Sequence, residues 1–490
     1  MHIKPDLNEA RRYTKDFKIL PVSCELYADC LTPLAVLRKL KNVSKHCFIL
    51  ESVEDSKQWG RYTFLGYDPK MEVTCLNGRL TLRSGSKITM PVTHPKKVLR
   101  QVLDENKSPR LEELPSFTGG LVGYFAYDYF KYAEPSLNLA AADTENFQDV
   151  DVMLFDKVIA FDNYRQKIIL IANIQLADLE TEYNRALLEL NTMRQLLLEG
   201  EPAPEEQGQI TSEPRALFSQ QEYCQMVERA KKYIYNGDIF QVVLSNRLQA
   251  GFSGSLLNMY RVLRTLNPSP YMFYFSSADL ELAGASPETL VKLEKGILHT
   301  FPLAGTRPRG KDDSEDRRLE QELLADPKEA AEHNMLVDLG RNDLGKVSEF
   351  GSVSVEKYMA VEKFSHVMHL GSTVRGRIKP EYDALDALDA VLPAGTLSGA
   401  PKIRACQIIN ELENNKRGIY GGAVGYLDFS GNMDTCIGIR LAFKKQGQVF
   451  IRAGAGIVAD SLPEKEYQEC INKAQAVVEA LQIAQEGLDQ

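Results

Sequence analysis

The chain has 490 residues, 44% of them hydrophobic and 26% charged, a composition typical of a globular protein long enough for two domains or one elaborate two-layered domain. The formal net charge of −9 argues against nucleic acid or an anionic membrane as a partner, although a few local cations can still bind a small anion. The eight cysteines form no C-x-x-C pair, the first residues lack an apolar signal segment, and no apolar run is long enough to span a membrane. We therefore expect neither a zinc site nor a disulfide framework, and a cytoplasmic location.

Two long units follow from the pattern along the chain. Residues 177–200 show the apolar spacing of a helix that ends at Gly200. The next stretch, to about residue 217, is rich in Pro, Glu, Gln and Gly and lacks periodicity, which is typical of a linker or a long surface loop. We predict an N-terminal unit over residues 1–200 and a C-terminal unit over residues 215–490. Strand-like and helix-like stretches do not alternate regularly, which argues against a Rossmann fold.

One seven-residue sequence recurs in a slightly altered form. Residues 119–125 are GGLVGYF and residues 421–427 are GGAVGYL. Two glycine-rich strands can match by chance. Alternatively, the two units contain related sheets that pack on each other.

Three glycine-rich stretches are predicted to be loops that present backbone N–H groups. TFPLAGTRPRG (residues 300–310) adds two arginines and is predicted to hold an anion, and the others are LPAGTLSGAPK (392–402) and RAGAGIV (452–458). Such N–H groups can bind carboxylate or phosphate, but glycines needed only for turn geometry would give the same pattern. None of the three completes a nucleotide-binding fingerprint.

Two predicted helices carry paired acidic residues. Glu329 and Glu332 stand three residues apart, as do Glu466 and Glu469, so each pair lies on one helix face. One carboxylate from each helix could hold Mg²⁺, which takes oxygen ligands; alternatively, both pairs form solvated faces. A capping-box pattern at Ser461 predicts that the second helix begins there.

Four further residues could take part in catalysis. Arg440 lies in CIGIRLAF, a predicted apolar strand, where it must be paired or must hold an anion. Glu288 lies where a strand is predicted to meet a turn, and it could act as a general acid if its pKa were raised. His366 and His369, in KFSHVMHLGS, are structural or catalytic. Together these features predict an Mg²⁺-assisted enzyme that acts on a small polyanion.

In their order along the chain, these stretches resemble those of the chorismate-utilising enzymes. Between residues 220 and 475 the family's order is kept by GASPE, PLAGTRPRG, AEHNMLVDLGRNDLG, LPAGTLSGAPK, YGGAVGYLDFSG and RAGAGIV followed by EYQECINKA. Within this family the chain looks like the anthranilate synthase component I group. The resemblance implies an α/β fold of the α+β type, with two packed, mainly antiparallel sheets and helices outside.

The resemblance also implies roles for single residues. Glu332 and Glu469 match the family's Mg²⁺ ligands. Glu288 matches its general acid, and His369 matches a histidine implicated in the loss of pyruvate. The implied contacts to chorismate come from Gly305, Thr306, Thr396, Tyr420, Arg440, Gly454, Ala455 and Gly456.

Two positions indicate which reaction of the family to expect. The aminodeoxychorismate synthases carry a nucleophilic lysine where this chain has Ala304. The isochorismate and salicylate synthases carry a water-activating lysine where it has Gln241. Without either lysine, direct attack by ammonia on chorismate is expected, which leads to anthranilate and pyruvate. The rivals are an aminodeoxychorismate synthase and an inactive regulatory subunit that binds an amino acid.

The resemblance implies two partners besides chorismate and Mg²⁺. Ammonia would come from a separate glutamine amidotransferase subunit, in an assembly that is expected to be a heterotetramer. L-Tryptophan would act as a feedback inhibitor. The matching residues for the inhibitor are Leu50, Glu51, Ser52, Pro270, Tyr271 and Met272. The alternative is that this region is ordinary packing and that NPSPY is only a turn.

Overall fold

Two large β-sheets form the frame of the protein, and the computed structural model describes residues 2–52, 60–137, 139–363 and 367–488. The strands, in chain order, are β1 Ile3–Lys4, β2 Ile19–Tyr27, β3 Cys47–Glu51, β4 Tyr62–Tyr67, β5 Met71–Leu76, β6 Arg79–Ser84, β7 Ser86–Pro91, β8 Gly120–Phe125, β9 Val150–Phe155, β10 Lys157–Asp162, β11 Lys167–Gln175, β12 Gln209–Ile210, β13 Arg215–Ala216, β14 Gln241–Ser253, β15 Tyr271–Ser276, β16 Leu280–Ser286, β17 Thr289–Glu294, β18 Ile297–Thr300, β19 Leu303–Pro308, β20 Ser354–Lys363, β21 Val367–Arg377, β22 Gly399–Ala400, β23 Ala423–Asp428, β24 Met433–Ile437, β25 Leu441–Lys445 and β26 Gln448–Ile457. The helices are α1 Leu7–Ala10, α2 Pro33–Val43, α3 Lys96–Glu105, α4 Leu179–Glu199, α5 Gln220–Tyr235, α6 Leu257–Leu266, α7 Asp313–Ala325, α8 Pro327–Gly345, α9 Ala384–Val391, α10 Gly395–Ser398, α11 Lys402–Glu413 and α12 Pro463–Glu486, with short 3₁₀ turns at Arg11–Tyr13 and Tyr127–Tyr132.

The sheets have 14 and 12 described strands. The main path of the first is β1-β2-β11-β10-β4-β3-β15-β16-β25-β26-β14-β12, and that of the second is β19-β21-β18-β17-β24-β23-β8-β9-β5-β6-β7. All described pairings between these strands are antiparallel. Helix α4 packs on β11, and α12 packs on β26 and α6. This architecture confirms the expected fold of two antiparallel sheets with helices outside.

Aromatic side chains fill part of the space between the sheets. Phe48 and Phe64, from the first sheet, both lie edge-on to Phe117. The ring of Phe117 lies 4.4 Å, centre to centre, from that of Tyr426 on β23 of the second sheet. Burying these large rings against one another drives the two sheets together.

Each sheet has one seam between strands from the two predicted units. In the first sheet the seam is the β3–β15 pair, and in the second it is the β8–β23 pair. On one side of each seam all strands come from residues 1–200, and on the other side all come from beyond residue 200. The predicted linker runs along β14, because its two short strands, β12 and β13, pair with that strand.

The repeated sequence forms the second seam. Strands β8 and β23 lie side by side in one sheet, so the prediction that the repeat marks a separate, related sheet in each unit is wrong. Gly123 pairs with its own counterpart, Gly425, which gives the two strands an approximate local twofold relation. A Cβ atom at Gly425 would lie 2.1 Å from the carbonyl oxygen of Asp434, and one at Gly123 would lie 2.2 Å from that of Asp151. Glycine is therefore required at both places because the neighbouring backbones approach too closely for a side chain.

The ends of two helices were predicted from local sequence signals. Helix α4 ends at Glu199 and is capped by Gly200, as predicted. Helix α12 begins at Pro463 as expected, but its cap is Leu462, and the predicted capping box is absent. The hydroxyl of Ser461 instead accepts a hydrogen bond from the backbone N–H of Val458 at 3.1 Å. Among the described residues, no helix combines the length and the apolar character needed to cross a membrane.

The close approach of backbones at this seam predicts that any side chain at its centre lowers the free energy of unfolding. We expect Gly425→Ala to lower the free energy of unfolding by about 3 kcal/mol, because the added methyl group overlaps the backbone of β24. Urea denaturation checks this value. Gly345→Ala is the matched control, because Gly345 ends a helix with open space around it, and it should change stability by less than about 1 kcal/mol. Equal effects of the two substitutions would contradict the steric explanation.

Candidate active site

The candidate site lies where one edge of the second sheet meets the helices. Helix α8 packs against β19 and β21, and α12 packs against β26 of the first sheet. The short helix α10 contacts α8, β14 and β26. These contacts bring together elements of both sheets that carry the predicted catalytic, metal-ligating and substrate-binding residues.

Glu288 is a half-buried carboxyl group in the turn between β16 and β17. Burial raises its pKa to about 7, and this effect outweighs the opposing influence of Thr396 and of the positive charges of Arg440 and Lys473. A carboxyl group with this pKa is partly protonated near neutral pH. It can therefore donate a proton, as the sequence predicted for a general acid.

Arg440 lies next to Glu288 but not in a strand. It occupies the bend between β24 and β25 with a backbone φ of 50°, so the prediction that it lies within an apolar strand is wrong. Burial lowers the pKa of Arg440, and the negative charge of Glu288 opposes that effect. The bend positions a guanidinium group, which suits binding of a carboxylate, beside the candidate acid.

His369 is held by the backbone of the neighbouring strand. Its Nδ1 lies 2.7 Å from the carbonyl oxygen of Gly305 and 3.1 Å from the hydroxyl of Thr306. Because a carbonyl oxygen only accepts hydrogen bonds, Nδ1 carries the proton. Burial lowers the pKa of His369, assisted by Arg440 and opposed by the Gly305 carbonyl group, so the imidazole is neutral at pH 7.

The first acidic pair lies at the start of α8. Burial raises the pKa of Glu332, and the like charge of Glu329 adds to the increase. The positive charges of Lys328 and Lys473 and a hydrogen bond from Gln241 act in the opposite direction. A raised pKa means that the ionised carboxylate has too little compensating positive charge around it.

The second acidic pair lies in the first turns of α12. Burial raises the pKa of Glu466, a hydrogen bond from Ser461 lowers it, and the charge of Glu469 raises it further. Glu469 forms an ion pair with Lys473 at 2.7 Å. The charges of Lys328 and Lys473 act on carboxylates of both helices, so the starts of α8 and α12 face each other.

The residues at these helix starts fit Mg²⁺ by their chemistry. Within the described ranges, no three His, Cys, Asp or Glu side chains form a group that could hold a metal. Mg²⁺, however, is usually bound by only one or two carboxylates, with water and substrate oxygens as its other ligands. Glu332 and Glu469 are the predicted pair, and a cation would offset the burial and the like charge of Glu329 that raise the pKa of Glu332. Lys473, now paired with Glu469, would then have to release it.

Strand β26 forms one wall of the site. Gly454, Ala455 and Gly456 were predicted to lie in a loop, but they lie within this strand and pair with β14. A Cβ atom at Gly454 would lie 2.8 Å from the hydroxyl oxygen of Tyr420, and one at Gly456 would lie 2.6 Å from the side-chain nitrogen of Gln241. The glycines therefore make room for two other predicted site residues.

The stretch 300–310 differs most from its prediction. Leu303–Pro308 forms the edge strand β19 with an irregular register, not a loop. Arg307 pairs with Asp326 at 2.8 Å, and Arg309 pairs with Asp316 at 2.9 Å. The charges of both arginines are therefore compensated by carboxylates of the protein, and the prediction that this stretch holds an anion rests on Gly305 and Thr306.

The six residues predicted to bind the inhibitor line one cavity between the sheets. Its volume is about 630 Å³. It also extends to Leu303 on β19 and to Gly371 and Ser372 on β21, the strands that carry Gly305 and His369. The predicted residues on its wall are Leu50, Glu51, Ser52, Pro270, Tyr271 and Met272.

Polar groups at this cavity are held in place by hydrogen bonds. Glu51 accepts a hydrogen bond from the hydroxyl of Tyr260 at 2.5 Å and another from Arg264 at 2.9 Å. The hydroxyl of Tyr271 donates to Asp434 at 2.8 Å. Glu51 belongs to the N-terminal unit and its two donors to the C-terminal unit, so these contacts tie the units together.

Sequence reasoning missed the two lysines of the site. Lys473 lies one turn after Glu469, a spacing that by itself signals an ion pair. No local signal indicates that Lys328 acts on α12, because that contact depends on how the helices pack. His366 lies outside the described residues.

Comparison with known proteins identifies the family. Residues 45–479 match the chorismate binding enzymes. The chain belongs to this family. Anthranilate synthase component 1 of Acetivibrio thermocellus is 43% identical over 98% of this chain and 99% of its own length, and that of Aquifex aeolicus is 43% identical over the whole of both chains.

Solved structures support the fold of this chorismate-binding enzyme. Anthranilate synthase component I from Streptococcus pneumoniae superposes with a TM-score of 0.74 at 40% identity, covering 92% of this chain and 98% of its own. The menaquinone-specific isochorismate synthase from Escherichia coli shares the fold. It superposes with a TM-score of 0.71 at 22% identity, covering 97% of this chain and 98% of its own. The expected family, its resemblance to anthranilate synthase component I and the expectation of an enzyme are thereby confirmed.

The pKa of Glu288 predicts how stability depends on pH. The pKa of this carboxyl group is raised from about 4.5 to about 7 in the folded state. Its ionisation therefore destabilises the folded state increasingly as pH rises from about 4.5 to about 7. The loss of unfolding free energy reaches about 2–3 kcal/mol above about pH 7. We expect Glu288→Gln to remove this cost. The variant should match the parent at pH 4.5 and be more stable by about 2 kcal/mol at pH 8 in urea denaturation.

Glu479→Gln is the control for this experiment, because Glu479 is exposed on α12. It should leave the pH dependence of stability unchanged. An equal stability gain of the Glu288 variant at both pH values would contradict the raised pKa.

Proposed function

We propose that the chain is the synthase component of anthranilate synthase. It converts chorismate and ammonia to anthranilate and pyruvate, the first step of tryptophan biosynthesis. The observation that carries the proposal is Glu288, a carboxyl group with a pKa of about 7 held beside Arg440. Ala304 and Gln241, which replace the lysines of the family's other reactions, favour ammonia as the nucleophile.

Amination is the first chemical stage. Arg440, with Tyr420, holds the enolpyruvyl carboxylate of chorismate. Ammonia attacks C2, the C2–N bond forms, both ring double bonds shift, and the C4–O bond breaks. Glu288 gives its proton to the departing hydroxyl group, which leaves as water. The strand Gly454–Gly456 and the residues Gly305, Thr306 and Thr396 enclose the ring.

Elimination is the second stage. The C3–O bond breaks, the enolpyruvyl group takes up a proton and leaves as pyruvate, and the loss of the proton at C2 makes the ring aromatic. His369 is neutral, and its Nδ1 is held by the Gly305 carbonyl oxygen. The second ring nitrogen is therefore a base suited to proton transfer at this stage.

Glu332 and Glu469 are the proposed ligands of the metal. Bound Mg²⁺ would neutralise and orient the ring carboxylate of chorismate. Without it, Lys328 and Lys473 partly neutralise Glu332 and Glu466, and Lys473 pairs with Glu469. This lets the acidic helix starts lie together in the absence of substrate.

The proposed assembly pairs this chain with a glutamine amidotransferase that supplies ammonia, as a heterotetramer. The relatives are named component 1, which supports a partner component. The proposed inhibitor is L-tryptophan, bound in the cavity between the sheets. Two observations support it: the cavity is lined by all six residues that match the inhibitor motif, and it reaches the strands that carry Gly305 and His369.

A single assay tests the proposed reaction. The purified chain should form fluorescent anthranilate from chorismate, an ammonium salt and Mg²⁺. We expect Glu332→Gln to lower kcat/KM by at least about 100-fold, because a charged ligand of the metal is lost. Glu349→Gln, at a partly exposed carboxylate in the turn after α8, is the control and should change kcat/KM by less than about twofold.

Each alternative outcome has a defined meaning. An aminated product that retains its pyruvyl group would support the rival aminodeoxychorismate synthase. No consumption of chorismate would support the rival inactive regulatory subunit. Either result would overturn the proposal.

The same assay with L-tryptophan tests the cavity. We expect inhibition of the parent chain and, in Ser52→Phe, a rise of at least about tenfold in the half-inhibiting concentration, because the new ring occupies the cavity. Each rate is compared with the variant's own uninhibited rate. Ser86→Phe, on the exposed β6–β7 hairpin, is the matched control. Inhibition that is unchanged in Ser52→Phe would place the inhibitor elsewhere.

A further inference from the structure

A buried cluster of charges lies behind the candidate site, centred on Glu413 at the end of α11. Its carboxylate accepts hydrogen bonds from the backbone N–H and the hydroxyl of Ser245 at 2.8 and 2.9 Å. It accepts two more from Arg417 at 2.6 and 3.0 Å and one from Arg452 at 2.7 Å. Burial works against its ionisation, but the two arginines hold the pKa of Glu413 below its ordinary value.

Arg417 uses its remaining donors on backbone carbonyl groups. It donates to the carbonyl oxygen of Leu397 at 2.6 Å and to that of Val243 at 2.7 Å. Its guanidinium group also lies over the rings of Tyr127, at 4.7 Å, and Tyr420, at 5.7 Å. One planar group therefore contacts four separate segments of the chain as well as Glu413.

Three of these segments carry a residue of the candidate site. Leu397 directly follows Thr396, and Val243 lies two residues after Gln241 on β14. Tyr420 is itself a predicted contact to the substrate. Arg417 has only 2% of its surface exposed, so it acts through these residues and not on the substrate.

We propose that Arg417 is a positioning residue for the reaction, which holds the segments of Thr396, Gln241 and Tyr420 in one fixed arrangement. The inference rests on the proposed function because these three residues are assigned to the chorismate site. Its physical basis is the planar fork of arginine, which can satisfy a carboxylate and two carbonyl groups at once. A lysine at this position keeps the charge but cannot make all of these bonds.

Arg452 provides a contrast within the same cluster. It binds the same carboxylate, but its other acceptors are the hydroxyl of Ser245, the side chain of Asn415 and the carbonyl oxygen of Lys416. None of these acceptors belongs to a residue assigned to the substrate. The two arginines therefore share a stabilising role, and the positioning role falls to Arg417.

The test compares Arg417→Lys with the parent chain in the anthranilate assay, at saturating ammonium and well below the melting temperature of each protein. We expect kcat to fall by at least about 30-fold while the Mg²⁺ concentration for half-maximal activity changes by less than about twofold. The metal requirement should persist because α8 and α12, which carry the proposed ligands, are not bonded to Arg417.

Arg247→Lys is the matched control. Arg247 is equally buried, lies on β14 and forms an ion pair with Glu145 at 2.7 Å, but it is not bonded to the three site segments. It should lose stability and keep kcat within about twofold of the parent value. If Arg247→Lys loses as much activity as Arg417→Lys, or if Arg417→Lys only lowers the melting temperature, the proposal is overturned.

A second variant decides the case if Arg417→Lys does not fold. Tyr127→Leu removes one aromatic face beside Arg417 but leaves every hydrogen-bonding partner of the guanidinium group in place. We expect a fall in kcat of about 3-fold to 10-fold, and an unchanged kcat would overturn the proposal. If the parent chain consumes chorismate without forming anthranilate, the proposed function fails. The role of Arg417 is then still tested by comparing the rates at which the variant and the parent consume chorismate.

Discussion

The rest of the structure depends on the two strand pairs that join the units, β3–β15 in the first sheet and β8–β23 in the second. Each pair covers a strand edge that would otherwise present unpaired backbone groups. At the second seam, Gly123 and Gly425 allow adjacent backbones to approach within a distance that excludes a Cβ atom. Neither unit completes a sheet alone, so the two units share one folded framework.

The cavity proposed for the inhibitor lies at both seams. The cavity between the sheets is lined by β3 and β15 from the first seam and by Val424, Gly425 and Tyr426 from the second. A ligand there would contact both units and, through Leu303 and Gly371, the strands that carry part of the candidate site. An inhibitor in this position can favour one arrangement of the shared framework over another.

Two carboxyl groups show how the surroundings decide the chemistry of one side chain. Glu413 is buried, but two arginines and Ser245 satisfy both of its oxygens, and its pKa is lowered. Glu288 lies near a single arginine, Arg440, and its pKa is raised to about 7. Burial raises the pKa of both groups, and the number of donors and opposing charges determines whether that effect prevails. The first carboxylate is structural, and the second can transfer a proton.

By itself, the sequence determined several local elements and the family, and it predicted the residues of the candidate site. Helix α4 ends before Gly200 and α12 begins at Pro463 because the backbone preferences of Gly and Pro and the apolar spacing act within a few residues. The tertiary structure decided which charges remain for chemistry: Arg307 and Arg309 are used in ion pairs, whereas Glu288 gains a pKa near neutrality. It also decided that two glycine-rich stretches are strands. These properties depend on burial and on partners far along the chain, which local propensities do not contain.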